Sequence, residues 1–142
     1  VSKAKKSVMR KYRGGVAGLV SQDPEQFFDP LFKVGFQLIS AVRSHISISK
    51  RKASGSLKYA LSGLGLADPS AIMNAWLHEL SGGMKTRAAL ALAVVLKPRI
   101  IVADEVFSAL DPVMAVRVLD MLKQLIPEST DSILLITHDL AA

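Results

Sequence analysis

The residues of this chain best suited to chemistry stand around a predicted helix and the strand that follows it. Leu80-Ser81-Gly82-Gly83 precedes residues 84–96, a run of good helix formers that stops at Lys97-Pro98, where proline cannot continue a helix. Ser81 therefore sits at a helix N-terminus. There the unpaired backbone N–H groups and the positive end of the helix dipole favour an anion, and glycines let it come close to the backbone. A lone Ser-Gly-Gly is also an ordinary helix cap; Leu61-Ser62-Gly63 repeats the Leu-Ser-Gly of 80–82 with no such helix behind it. Next, residues 99–103 form a short continuous apolar run after the helix, which predicts a parallel strand buried on both faces. Asp104 and Glu105 fall at its C-terminal end, the edge at which open α/β sheets bind ligands. Of two adjacent carboxylates there, one can hold a hard cation such as Mg²⁺ and the other can orient a water for attack on a phosphoryl group. The plain alternative is a solvated acidic loop. His138 lies just beyond a second apolar run, predicted as a buried strand over 133–136. Taken with Asp104 and Glu105 at strand ends it is a candidate contact to a terminal phosphate; alone it is a loop residue. Asp111-Pro112 reads as capping chemistry at a helix start.

The order of these pieces, LSGG-M-K-x-R, IIVADE, SALD and Thr137-His138-Asp139, resembles the nucleotide-binding domain of ATP-binding cassette (ABC) proteins. The matching motifs are the signature sequence, the Walker B strand, the D-loop and the His switch. Gln22 matches the Q-loop glutamine, so the resemblance covers nearly the whole chain. It implies an α/β fold: part of a P-loop NTPase (RecA-like) core with parallel strands, carrying an inserted α-helical subdomain. Residues 14–22 and 97–142 would be pieces of the core and about 23–96 the helical and signature subdomain. The resemblance further implies ATP and Mg²⁺ as ligands. Gln22 and Asp104 would serve the metal, Glu105 would polarise the attacking water, and His138 would steady the developing charge. Ser81, Gly82 and Gly83 would complete the nucleotide site of a second ATPase subunit in a head-to-tail dimer, and Asp111 would also bind nucleotide.

Gln22-Asp23-Pro24, then Phe28-Asp29-Pro30 and Val34-Gly35, narrows the likeness to importers of the oligopeptide, dipeptide and nickel group, in which Asp29 is usually Asn. Trp76 and Leu77 depart from the Tyr-Pro usual before His-Glu, and Thr86 stands where Gln is usual in the signature helix. Such a subunit docks through its helical subdomain on transmembrane permease subunits and lies at the cytoplasmic face of the cell membrane. No nucleic-acid partner is expected. A soluble cassette ATPase of DNA repair or translation shares the signature and strand motifs, and an inactive remnant or binding module is the non-enzymatic alternative.

Composition bounds the rest. The chain has 142 residues, 50% hydrophobic and 21% charged, which suits one globular unit with a core. With no cysteine it has no disulfide and no thiolate metal site. A net charge of +6 points to an anionic partner without choosing among nucleotide, nucleic acid and membrane surface. The longest apolar stretch, 88–96, is nine residues, well short of the roughly 18 to 20 that a spanning helix needs. Basic residues 1–13 have no apolar segment behind them, so they are not a signal peptide.

Further elements follow from periodicity. Residues 16–20 read as a short strand, 31–48 and 57–64 as helices, and 49–56 as a basic, Ser-rich joint between them. Phe28, Phe32 and Phe36 recur at helical spacing, which predicts at least two of them in the core; with Phe27 they could instead form a docking patch. Asp68-Pro69 opens another helix. Val113, Val116, Leu119, Leu122 and Ile126 predict the buried face of a helix that Pro127 closes. Absent from the sequence is Gly-x-x-x-x-Gly-Lys-Ser/Thr, the loop that cradles phosphates, and no Gly-Lys dipeptide occurs. The family places that loop N-terminal to the Q-loop, so the expectation is a fragment beginning mid-protein and inactive by itself.

Overall fold

The computed structural model describes residues 15–21, 23–107, 110–126 and 130–137. Strands β1 (Ala17–Val20), β2 (Ile100–Asp104) and β3 (Ser132–Ile136) form a parallel sheet in the order β1-β2-β3. Ala17 pairs with Ile100, and Ile100 with Ser132, so the C-terminal ends of β2 and β3 emerge together at Asp104 and Ile136. Between β1 and β2 run a 3-10 turn (Pro24–Phe27) and helices α1 (Val34–His45), α2 (Lys50–Gly63), α3 (Pro69–Asn74) and α4 (Gly82–Leu96); α5 (Pro112–Leu125) lies between β2 and β3. The fold is α/β, as expected: parallel strands with an α-helical insertion. No described helix is long and apolar enough to cross a membrane.

Helix α4 is the centre. Its Ala88, Ala89, Leu90, Ala91, Ala93, Val94 and Val95 are buried, covering nearly every direction around the axis. A helix apolar all round must be enclosed, and α4 packs against β1, α1, α2 and α5. Burying Leu90 alone stabilises the fold by roughly 1.5–3 kcal/mol. The helix ends with Lys97 in the left-handed region at φ 51°, and Pro98 turns the chain into β2. Arg99 then ties β2 to β3, its guanidinium holding the Asp131 carboxylate at 2.6 and 2.7 Å.

Several expectations are corrected. The joint predicted over 49–56 is the first half of α2: Ser49 caps it, accepting from Lys52 N–H at 3.2 Å, and Ala53, Leu57, Ala60 and Leu61 form its buried stripe. Helix α1 is shorter than predicted and buries Val34, Gly35, Leu38 and Val42. Phe36, two residues and some 200° round from Val34, therefore faces out. Only Phe28 of the three phenylalanines is buried, while Phe32 and Phe36 are 47% and 59% exposed and stack at 5.3 Å. In α5 the inward stripe is Ala115, Val118 and Leu122, with Val113 and Val116 exposed; two apolar patterns at helical spacing overlapped, and packing selected the one with the small Ala115. Strand β2 buries Ile101 and Ala103 but leaves Ile100 and Val102 partly exposed, and β3 is largely exposed rather than buried. Among the described elements, helices cover one face of this sheet.

Close approach explains one glycine. A Cβ on Gly35 would stand 2.4 Å from the Met73 carbonyl oxygen, so α1 meets α3 without room for a side chain. Gly55, inside α2, has nothing within 4 Å of such a Cβ. Gly35→Ala should therefore lower the unfolding free energy by about 1–3 kcal/mol through overpacking, while Gly55→Ala should raise it by about 0.5–1 kcal/mol by helix propensity. Urea unfolding of both variants checks this; equal effects would contradict the packing described.

Candidate functional site

Ser81 is the N-cap of α4, with φ −67° and ψ 160°, and its hydroxyl accepts from Met84 N–H at 3.3 Å. Ser81 and Gly82 are exposed at this end, whereas Ala93, Val94 and Val95 near the other end are buried. The capping geometry leaves the first backbone N–H groups of α4 at an exposed end of the helix. Gly83 lies close to Leu110: an added Cβ would stand 2.7 Å from the Leu110 Cδ2 methyl. That contact brings the turn before α5 directly against the Ser81 turn. Asp111 caps α5, its Oδ1 accepting from Met114 N–H at 3.0 Å, which confirms its capping role.

The carboxylates stand where the strand pattern predicted. Asp104 ends β2 beside Ile136, and Glu105 N–H donates to the Ile136 carbonyl at 2.8 Å. This bond carries the β2–β3 ladder one residue past the strand. Glu105 has φ 50°, a left-handed conformation uncommon for a residue with a side chain. Strain of this kind persists only when the surroundings over-determine it, and it clusters at functional positions. Here the ladder bond before the turn and the buried Val106 after it fix the backbone.

Among the described residues no group of three or more His, Asp or Glu could cage a metal ion. Mg²⁺ is commonly held by one or two carboxylates together with waters and substrate phosphates. Asp104 with Glu105 beside it fits such a donor set. Gln22 and His138 lie outside the described residues; their neighbours Ser21 and Thr137 stand just past the C-terminal ends of β1 and β3, flanking β2.

The structure adds residues that the spacing did not single out. Arg87, one turn into α4, donates from Nε to the Gly83 carbonyl at 3.0 Å and from Nη1 to the Gly65 carbonyl at 3.2 Å. It thereby clamps the Ser81 turn to the corner between α2 and α3; burial lowers its pKa without bringing a second charge to it. Lys85, whose side chain is 11% exposed, pairs with Glu25 in the 3-10 turn three residues after Gln22. The start of α4 and the segment after β1 are thus linked by a partly buried ion pair. Both residues lie within the quoted LSGG-M-K-x-R, but a cation on a helix carries no sign of its partner. Thr86 is 2% exposed, so the residue that replaces the usual Gln points into the core rather than at a ligand.

Arg87→Ala should cost about 1.5–3 kcal/mol, the range for hydrogen bonds from a charged donor. Arg87→Lys should recover only part of it, because an ammonium lacks the planar fork that spans two carbonyls. Denaturant titration measures both; a loss under about 0.5 kcal/mol for the alanine variant, on the same scale, would remove the clamp.

The family model described as ABC transporter matches residues 3–108. The chain is 33% identical over 140 residues to the dipeptide transport ATP-binding protein DppD of Haemophilus influenzae, covering 99% of this chain and 41% of that protein. It is 36% identical over 132 residues to the oligopeptide transport ATP-binding protein OppD of Bacillus subtilis, covering 93% and 37% respectively. The chain thus spans about two-fifths of the length of these curated relatives. Among solved structures, the dimeric structure of a bacterial ABC transporter cassette superposes with a TM-score of 0.81 at 25% identity, over 99% of this chain and 60% of that one. A post-hydrolysis ATP-binding cassette bound to ADP and Pi gives 0.80 at 24%, a likeness of fold. With its motifs in order and three-quarters of its length matched, the chain belongs to the ABC transporter family.

Proposed function

We propose that this chain is part of the ATP-hydrolysing subunit of a peptide importer, coupling nucleotide turnover to movement of substrate through separate membrane subunits. The observation that carries the reading is the strained Glu105 beside Asp104 at the C-terminal edge of a parallel strand, with the ladder bond to Ile136 holding it there. The names of the relatives favour peptides over nickel as cargo.

In this reading residues 23–96 form the helical and signature subdomain, and 14–22 with 97–142 belong to the nucleotide-binding core. The Glu105 carboxylate accepts a hydrogen bond from the attacking water and aligns it with the γ-phosphate, and His138 donates to the oxygen on which charge develops. Asp104 and Gln22 hold Mg²⁺, which neutralises phosphate charge when bound. Ser81, Gly82 and Gly83 offer hydroxyl and backbone N–H groups to the γ-phosphate of nucleotide bound by a second subunit, and Asp111, one residue past the Leu110 that touches Gly83, lies at the same boundary. Two of the solved cassettes that resemble this chain are dimeric, which supports a second ATPase subunit as partner. The helical layer would contact the permease subunits and hold the protein at the cytoplasmic face of the membrane.

The sequence contains no Gly-x-x-x-x-Gly-Lys-Ser/Thr, so the 142-residue chain by itself should not turn over ATP. Turnover by the purified chain that disappears in Glu105→Gln would contradict this. In the full-length protein, Glu105→Gln should reduce turnover by at least about a hundredfold, the scale of a lost general base, while ATP stays bound. Steady-state rates and retention of radiolabelled ATP check both parts, and an undiminished rate would remove Glu105 from the role.

A further inference from the structure

Lys85 is placed where folding alone does not favour a cation. It stands in the first turns of α4, near the positive end of the helix dipole, and the first turn holds no acid to offset it. Its side chain is only 11% exposed, so water compensates the charge poorly. The compensating carboxylate comes from Glu25, 60 residues earlier: Lys85 Nζ donates to Glu25 Oε1. Apolar side chains of similar volume often serve stability as well as a partly buried ion pair does. What the pair supplies is register. Apolar contact between the 3-10 turn and α4 tolerates sliding, whereas a donor and acceptor at hydrogen-bond distance do not.

The pair closes a run of bonds between two parts of the candidate site. Lys85 N–H donates to the Ser81 carbonyl at 3.0 Å, so one residue holds the Ser81 turn through its backbone and the 3-10 turn through its side chain. Within the 3-10 turn Asp23 accepts from Glu25 N–H at 3.1 Å and from Gln26 Nε2 at 3.2 Å. The buried Phe28 anchors the far end, its N–H donating to the Glu25 carbonyl at 3.0 Å. Asp23 directly follows Gln22 in the sequence. Among the described residues, Lys85 to Glu25 is the only polar side-chain bond between the 3-10 turn and α4.

Resting on the function proposed above, we propose that Lys85 and Glu25 are positioning residues for ATP hydrolysis: their ion pair fixes the segment that carries Gln22 against the Ser81 turn. Neither side chain touches nucleotide; both act through the elements they join. The test is steady-state ATP turnover of the full-length protein, with Glu105→Gln as control. E25M and K85M should each lower kcat by about ten- to a hundredfold, the scale of displacing a reacting group by up to about 1 Å, and change KM for ATP by less than about threefold. The double variant E25M/K85M should be no slower than the slower single variant, because the two residues act through one bond. K85R, which keeps a charged donor for the same carboxylate, should retain most of the wild-type rate. Recovery of the wild-type rate in E25M/K85M would show that packing suffices, and a double-variant loss equal to the product of the single losses would show separate roles; either overturns the proposal. So does K85R as slow as K85M, or a raised KM in K85M with E25M silent, which would place Lys85 on the nucleotide. A rate that survives Glu105→Gln overturns the hydrolysis reading and the pair with it, whereas a rate that the control abolishes and the pair variants leave alone overturns only the pair.

Discussion

The enclosure of α4 governs the arrangement of the rest. Its apolar residues point in nearly every direction, so the helix is stable only where β1, α1, α2 and α5 surround it. That enclosure leaves two ends with different fates. The N-terminal end stays open, with Ser81 and Gly82 exposed, while the C-terminal end turns at Lys97-Pro98 directly into β2. One helix–strand unit therefore carries the exposed Ser81 turn at its start and a pair of carboxylates at its finish. Gly83 packed against Leu110 and Arg87 bonded to the Gly83 and Gly65 carbonyls keep the open end in place.

The sheet supplies the second half of the geometry. Parallel pairing brings the strand ends out on one edge, and the bond from Glu105 N–H to Ile136 extends the ladder past the last strand residue. Glu105 is then held at φ 50°, in a conformation that its own side chain disfavours. Local preference and tertiary constraint disagree at this residue, the situation expected where a side chain is positioned for chemistry.

Much of this was legible in the residue order. Proline after α4, Asp before Pro112, and the apolar run ending in Asp104-Glu105 each mark a boundary through backbone chemistry that does not need the rest of the fold. Less was legible where two patterns competed. In α5, Val113-Val116 and Ala115-Val118 both have helical spacing, and only contact with α2 and α4 decides between them. The Ser-rich opening of α2 looked like a joint because its polar residues outnumber Ala53 and Leu57, although Ser49 is a good cap. Partners distant in sequence were invisible: Arg87 with Gly65, and Lys85 with Glu25, each depend on how the helices cross. The uneven burial of the sheet was equally hidden, because an apolar strand reads the same whether one face or two is covered.

In the proposed function the Ser81 turn and the Asp104-Glu105 edge of one chain serve two different nucleotide sites, each completed by a second subunit. Mixing full-length subunits carrying Ser81→Arg with subunits carrying Glu105→Gln tests it directly, with steady-state ATP turnover as the reading. If the sites form between subunits, each mixed dimer contains one site with both parts intact and one with both parts damaged, and the mixture should hydrolyse ATP well above either variant alone. If Ser81 and Glu105 serve the same site within one chain, every site in the mixture is damaged, and turnover no higher than that of the separate variants would contradict the claim.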